Sequence, residues 1–210
     1  MLTIYVEVPI TCFRIGYSRQ YFDTYLIPPY STIYGMLLSC IGETNRTFHI
    51  DVKLGLKLLS KPELSIVLRK YRRMKYPNNF SAPGNSNPDY QELLTDVRFL
   101  LFVDSSSENS EISLEKRLTD AFENPSSVNR YGSLCLGESR DLVNELKLIK
   151  DNDWKDQFPK GNWVVPDNRA DITLTTWVNH VGSAGTKFIR VGLKESEDIS
   201  PLETLVQIGP

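Results

Sequence analysis

The sequence predicts an α+β fold, a β-rich chain with helices gathered on one face of a sheet. Three observations carry that expectation. Runs rich in β-branched and aromatic residues recur at 2–9, 51–60, 63–75 and 97–103. Two segments, 31–41 and 112–125, repeat their apolar residues at helical spacing instead. Strand and helix signals interleave along the first two thirds, and β signals stand almost alone in the last third.

"LTIYVEVP" at 2–9 alternates in part and is closed by Pro9, as a first strand would be. Residues 10–30 then make a connection far longer than the ~2–6 residues usual in compact domains, which marks a loop with work to do. It interleaves Arg14, Arg19 and Gln20 with Phe13, Tyr17, Tyr21, Phe22 and Tyr25, a mixture that offers phosphate contacts and stacking surfaces together. The same aromatics would also serve to pin the loop to the domain.

A helix follows from Ser31, a favourable N-cap type, to Ile41, with Gly42 as its stop. Ile33, Leu37 and Ile41 share its apolar face. Gly35 lies one turn inside and costs roughly 1 kcal/mol relative to alanine, so a close approach of backbone must offset it. Spacing favours tight packing on a sheet, and a bound ligand is the alternative.

"DVKLGLKLLS" and "ELSIVLRKYRRMK" predict two strands joined by a short turn at Lys61 and Pro62, a hairpin. The second ends with five basic residues in seven, Arg69 to Lys75. In a strand, Arg69, Tyr71 and Arg73 share one face while Lys70 and Arg72 take the other. Residues 76–90 read as a long protruding loop rich in Pro, Asn, Ser and Gly. A short helical turn at "QELLTDV" then leads into a strand at Val97–Val103, and 112–125 form a second amphipathic helix on Leu114, Leu118, Ala121 and Phe122. This order is that of a ferredoxin-like or RNA-recognition-motif sheet, whose last strand is expected near "YGSLCLG". Segments 142–149, 161–167, 171–180 and 186–193 add β signals, read as a small appendage, so that 1–140 form the main domain and 141–210 the β-rich addition.

The formal net charge is −2, but it is unevenly spread. Residues 1–80 carry eleven Lys and Arg against five Asp and Glu, hence +6, and residues 81–210 carry thirteen against twenty-one, hence −8. Such asymmetry suits a local positive field on a nearly neutral protein. Three scattered cysteines, Cys12, Cys40 and Cys135, show neither metal spacing nor a CxxC pair and suit a reducing cytoplasm. No run approaches ~18 apolar residues and no basic-then-apolar start is present, so neither a membrane span nor a signal peptide is expected.

Three stretches together resemble the CRISPR-associated protein 5 family. "IPPYSTIYGMLLSCIG" carries the family's pattern at Pro28, Ser31, Gly35 and Gly42; "PDYQELLTDVRFLLFV" is similar to the segment that closes its thumb; "RYGSLCLGESRDLV" is similar to its strand and Leu-Gly-x-Ser turn at 136–139. The chain departs from that pattern at Tyr30 and Glu138, where many relatives have a basic residue. The resemblance implies a modified ferredoxin-like fold with a thumb at about 72–95. It also implies a subunit of a type I Cascade complex that grips the 5′ handle of the CRISPR RNA, caps the backbone filament and touches both the backbone and the large subunit. The RNA-contacting set expected on this basis is Arg14, Arg19, Tyr21, Ser31, Tyr34, Gly35, Arg69, Lys70, Tyr71, Arg72, Arg73, Lys75, Phe80, Gly137, Ser139 and Arg140, with Tyr76 as a further stacking face. No metal or other cofactor is expected.

One branch of that family cuts precursor RNA, and metal-independent cleavage needs a base for the 2′-hydroxyl and an acid or cation at the leaving oxygen. His49 and His180 are the chain's two histidines, the first in a polar loop and the second at a strand end near Lys187. The residues favour binding without cutting. The alternatives are a metal-independent endoribonuclease and a protein adaptor using Trp154, Trp163 or Trp177 as contact surfaces.

Overall fold

The computed structural model describes the chain except residues 17–20, 73–74, 80, 151–152 and 180–182, and gives the backbone alone for 70–72, 86–87 and 183. Among the described residues it is a mixed α/β fold built on one large, mostly antiparallel sheet with few helices. No helix is long and apolar enough to cross a membrane.

The sheet is organised by one very long strand. β1 (Leu2–Thr11) pairs antiparallel with the C-terminal part of β5 (Ser86–Asp104). The ladder skips the pair Pro9 and Asp96, where proline has no N–H to donate and Asp96 takes φ +59°. That lets β1 run past Pro9 to Thr11 instead of stopping there. From Phe99 to Val103 every side chain of β5 is fully buried on both faces, as an unbroken apolar run in a central strand requires.

The hairpin expected between 51–60 and 63–75 does not form. β3 (Lys53–Leu58) pairs with the C-terminal end of β5, and β4 (Glu63–Arg72) pairs with its N-terminal half, both antiparallel to it. The two strands therefore follow one another along the same side of β5. Pro62, with its fixed φ, does not supply the positive-φ residues of a tight hairpin turn, and the chain continues in one direction. In turn, the expected helical turn at 91–97 and the last residues of the expected loop, 86–90, are strand: β4 and 86–95 of β5 form a two-stranded arm. β2 (Tyr21–Phe22) lines the other side of that arm, parallel to Tyr90 and Gln91.

α1 (Tyr30–Cys40) starts one residue earlier than expected, with Pro29 at the cap position and Ser31 inside the first turn. Gly42, at φ +68°, ends it as expected. α2 (Leu114–Glu123) is capped by the Ser113 side chain, which accepts from Lys116 N. The two helices cover the face of the sheet that carries Ile4, Val6, Leu54, Leu56 and Leu101. "YGSLCLG" is not a strand; it keeps one isolated bridge, Cys135 to Leu142, because Gly137 turns the chain at φ +117°. The strand beside β1 is β6 (Glu145–Ile149).

β7 (Asn162–Pro166), β9 (Lys187–Lys194) and β8 (Ile172–Trp177) extend the sheet beyond β3, and β10 (Val206–Gln207) also pairs with β3. The opposite face of the sheet buries Tyr5, Leu100 and Phe102 beneath Trp154 and Trp163. All three tryptophans are core residues, none more than 5% exposed, which removes them as ready contact surfaces. Lys57 is enclosed on that face. Its ammonium donates to the carbonyls of Phe158 and Pro159 at 2.9 and 3.2 Å and lies 5.3 and 5.2 Å from the Trp154 and Trp163 ring centres, and burial lowers its pKa. Cys12, Cys40 and Cys135 are free thiols.

Leu101→Ala should cost about 2–5 kcal/mol in denaturant unfolding, because it opens a cavity at the centre of β5. Ile66→Ala, at an exposed position of the arm, should stay within about 0.5 kcal/mol of the parent.

Candidate nucleic-acid interface

At the base of the arm, residues 136–141 fold into a turn held against the end of β1. One oxygen of Asp141, Oδ2, accepts from Cys12 N at 2.9 Å, Glu138 N at 2.8 Å and Thr11 Oγ1 at 3.3 Å. Thr11 Oγ1 also donates to Leu136 O at 2.6 Å. A Cβ on Gly137 would fall 2.3 Å from Thr11 Oγ1, 2.7 Å from Asp141 Oδ2 and 2.9 Å from the Cys12 carbonyl. Gly137 is therefore required by packing and by its positive φ, and it fixes the turn that leaves Ser139 and Arg140 exposed.

The arginines here share a carboxylate. Glu138 Oε2 accepts from Arg69 Nη1 at 3.3 Å and from Arg140 Nη2, which also donates to Gln91 Oε1 at 3.0 Å. Arg69 is half-buried in this contact, while Arg140 keeps 49% of its side chain exposed. Arg140 is thus the outward cation of the pair.

The long connection divides its aromatics by role. Phe13 and Phe22 are buried and pin the loop, with Phe13 N donating to Thr24 Oγ1 at 2.9 Å. Arg14 is exposed, its guanidinium 4.0 Å from the Phe22 ring centre. Tyr21 stacks on Tyr90 with centroids 6.4 Å apart and donates to Glu92 Oε1 at 3.3 Å. Along the arm, cross-strand register puts Leu64, Ile66, Leu68 and Tyr90 on one face, where they are 49%, 57%, 63% and 51% exposed. Lys70 and Arg72 follow on that face by register, and Arg69 and Tyr71 lie on the other. At the tip Lys75 and Tyr76 are exposed, and the Asn85 side chain ties Tyr76 N and O and Asn79 O at 2.8, 3.1 and 2.8 Å. Arg19, Arg73, Phe80 and His180 lie outside the described residues.

A second surface runs over α1. Gly35 is exposed and nothing lies within 4 Å of where its Cβ would be, so the tight packing on the sheet expected there is absent. Two cavities, about 280 and 440 Å³, meet at Gly35 and Leu38. The first is lined by Ser31, Tyr34, Arg46 and Trp177, the second by Ser39, Thr44, Arg130 and Tyr131 among others. Ser31 exchanges a hydrogen bond of 2.7 Å with Thr175, which ties the first turn of α1 to β8. Tyr34 turns inward: it is buried, which pushes its phenol up to about 12, and it donates to Arg46 O at 2.9 Å. Arg46, Arg130 and Tyr131 are not among the site residues expected from the sequence, and Trp177 was expected only as a protein-contact surface. Arg130 and Tyr131 carried a signal as the first two residues of the "RYGSLCLGESRDLV" stretch.

His49 is fully enclosed. Nδ1 faces Glu108 and Nε2 faces Arg117 Nη1 at 2.9 Å, and Arg117 in turn holds Glu43 at 2.7 Å. Because an arginine N–H can only donate, Nε2 accepts and Nδ1 carries the proton toward Glu108. His49 lies in the loop after α1 as expected, but its own side chain is enclosed in this network. Glu43 is held below the usual carboxylate range by its hydrogen bond from Arg117. Burial alone would raise Glu108, but hydrogen bonds from Ser110, Leu114 N, His49 and Ser105 outweigh it and hold it low.

A sheet with a projecting two-stranded arm, and cationic and aromatic side chains around the arm's base, defines a mixed α/β protein. The family model described as "CRISPR-associated protein (Cas_Cas5)" matches residues 1–177. "CRISPR-associated protein Cas5" of Myxococcus xanthus (strain DK1622) is 36% identical over 193 residues, 90% of this chain and 87% of that one. The chain belongs to the Cas5 family. Two solved structures share the fold. A chain of a "CRISPR RNA-guided surveillance complex" has a TM-score of 0.62 at 12% identity, covering 92% of this chain and 90% of its own. A "Crystal structure of Cas protein" has a TM-score of 0.54 at 14% identity, with 92% and 93% covered.

Gly137→Ala should lower stability by roughly 2 kcal/mol or more, through positive-φ strain and contact with the Cys12 carbonyl, read as a drop in unfolding midpoint. Because the folded pKa values of Glu43 and Glu108 lie below the usual 4.5, their contribution to stability is complete above that value. It is lost as pH falls through the folded values. Unfolding free energy measured from about pH 6 to about pH 3 should therefore fall, and Glu108→Gln should flatten the fall.

Proposed function

We propose that this Cas5 family chain is the non-catalytic subunit of a type I Cascade complex, gripping the 5′ handle of the CRISPR RNA and capping the backbone filament. The observation that carries the reading is the base of the arm. There a turn locked by Asp141 presents Ser139 and Arg140, and the loop across the arm presents Arg14 and Tyr21. Guanidinium groups supply phosphate contacts, and Tyr21 with Tyr90 supplies a stacking surface for an unpaired base. Arg69 acts by holding Glu138 rather than as an open cation, and Gly137 acts by shaping the turn.

The strand order β6-β1-β5-β3, with α1 following β1 and α2 following β5, supports the ferredoxin-like part of the reading. The exposed apolar face of the arm supports a protein neighbour there, since Leu64, Ile66 and Leu68 form a stripe suited to cover by a partner. The backbone subunit is the partner this reading assigns to it, with the large subunit at the opposite side of the handle. Enclosure of His49 with both ring nitrogens engaged supports binding without cutting, because that imidazole has no route to a 2′-hydroxyl. A cytoplasmic setting is part of the same proposal.

Arg14→Ala combined with Arg140→Ala should weaken binding to repeat-derived RNA and reduce the slope of log K against log salt by about 1–1.5. An unchanged slope would remove these residues from the interface. Ile66→Glu and Leu68→Glu should leave the isolated chain folded but lose the backbone subunit in co-purification. A full repeat transcript incubated with the chain should stay intact; site-specific cleavage would replace the binding reading with the nuclease one.

A further inference from the structure

We infer that the cavity on the face of the sheet away from the helices, between Lys57 and residues 197–201, binds a small carboxylic acid with an apolar ring, its carboxylate held by the Lys57 ammonium. The site lies apart from the arm and stands or falls independently of whether the chain holds RNA.

Lys57 places a charge where a strand inside a sheet would bury an apolar side chain. It sits between Leu56 and Leu58 of β3 and is 4% exposed. An ammonium taken out of water is costly unless hydrogen bonds and an opposite charge compensate it. The carbonyls of Phe158 and Pro159 accept from it at 2.9 and 3.2 Å, which engages two of its three N–H groups. The indole rings of Trp154 and Trp163 add cation–π attraction. Among the described residues, however, no carboxylate lies within 4 Å of the ammonium. Glu197 acts on it through space from an exposed position, and burial prevails and lowers its pKa. One N–H donor and an uncompensated charge remain for the cavity that Lys57 lines.

That cavity measures about 390 Å³, within the roughly 300–1,000 Å³ usual for small-molecule sites. Trp154, Pro159, Ile199 and Pro201 give it apolar walls suited to a flat ring. The indoles are fixed from behind. Trp163 stacks on Phe102 with centroids 5.5 Å apart and donates from Nε1 to Ser196 O at 3.0 Å, and Trp154 meets both of those rings edge-on. The 201–204 turn on the remaining side is closed by a capping box between Ser200 and Glu203. A cavity already formed on such elements binds without the cost of ordering them. The exposed charges of the lining, Lys155 against Glu197 and Asp198, then select among anions. A phosphate dianion needs several donors and would meet one enclosed ammonium and two carboxylates, whereas a single carboxylate is matched by Lys57.

Phenylacetate is the probe, with phenylacetamide as the uncharged match and phenyl phosphate as the dianion. The chain has three tryptophans, and Trp177 belongs to the core on the helix side, so the indole N–H resonances of the ¹⁵N-labelled full chain carry their own control. Phenylacetate should shift the Trp154 and Trp163 resonances saturably and leave Trp177 in place, with a Kd of about 1 mM or below, as suits a ligand of about ten non-hydrogen atoms. The amide and the phosphate should bind about tenfold or more weakly than the acid. Lys57→Met, which keeps the length of the stem, should lose a similar factor. Glu197→Gln, at an exposed position, should tighten phenylacetate about twofold. No saturable shift in the parent chain, or amide binding as tight as the acid, would overturn the site. Phenyl phosphate binding tighter than phenylacetate would overturn the assignment to a carboxylate. If Lys57→Met does not fold, the amide comparison and Glu197→Gln decide the matter, since equal affinities in both would remove the ammonium from recognition.

Discussion

β5 belongs to two environments at once, and the rest of the molecule is arranged around that division. Its second half is buried on both faces between β1 and β3, where Phe99 to Val103 supply the centre of the sheet. Its first half leaves the core as one side of an arm whose outer face is largely exposed. A continuous strand is stiff along its length, so the arm is cantilevered from the best-packed part of the protein without any hinge of loop residues. The change of environment falls near Asp96, where positive φ and the skipped pair with Pro9 mark the end of regular pairing with β1.

Electrostatics at the base of the arm follow from which charges the turn at 136–141 brings in. Glu138 meets both Arg69 and Arg140, so part of the positive charge that the sequence concentrates at 69–75 is compensated by a residue far along the chain. The carboxylate takes up Arg69, and the exposed cations beside it, among the described residues, are Arg140 and, across the arm, Arg14. In the groove over α1 the acid Glu43 is paired with Arg117, Arg46 is half-buried against Trp177 and donates to the Val178 carbonyl, and Arg130 is exposed.

Much of the fold was legible because local pattern and tertiary role agree. The alternation in 2–9, the apolar stripe and Gly42 stop of α1, the Leu114 and Leu118 face of α2, and the β signals of the last third all became the elements they suggested. Expectations failed where two segments compete for one partner. Lys61 and Pro62 looked like a hairpin turn because strands on either side are close in sequence, yet both strands found β5 instead. Likewise "YGSLCLG" has the composition of a strand, but Gly137 and the three hydrogen bonds to Asp141 gain more as a turn than a ladder would have given. Of the site, the dense cations and Gly35 were visible as residue types; their environments were not. His49, read as part of a polar loop, is enclosed by Glu108 and Arg117, two residues far from it in the chain.

The sequence by itself determined most of the element types, the uneven charge and the family to which the chain belongs, because periodicity, composition and motif order are properties of short stretches. Only the tertiary structure decided which charges remain open. That outcome depends on contacts between residues about seventy positions or more apart, such as Arg69 with Glu138 and Glu43 with Arg117. It also decided that Gly35 faces outward, since a helix's apolar stripe says which side is buried but not what lies beyond the other side.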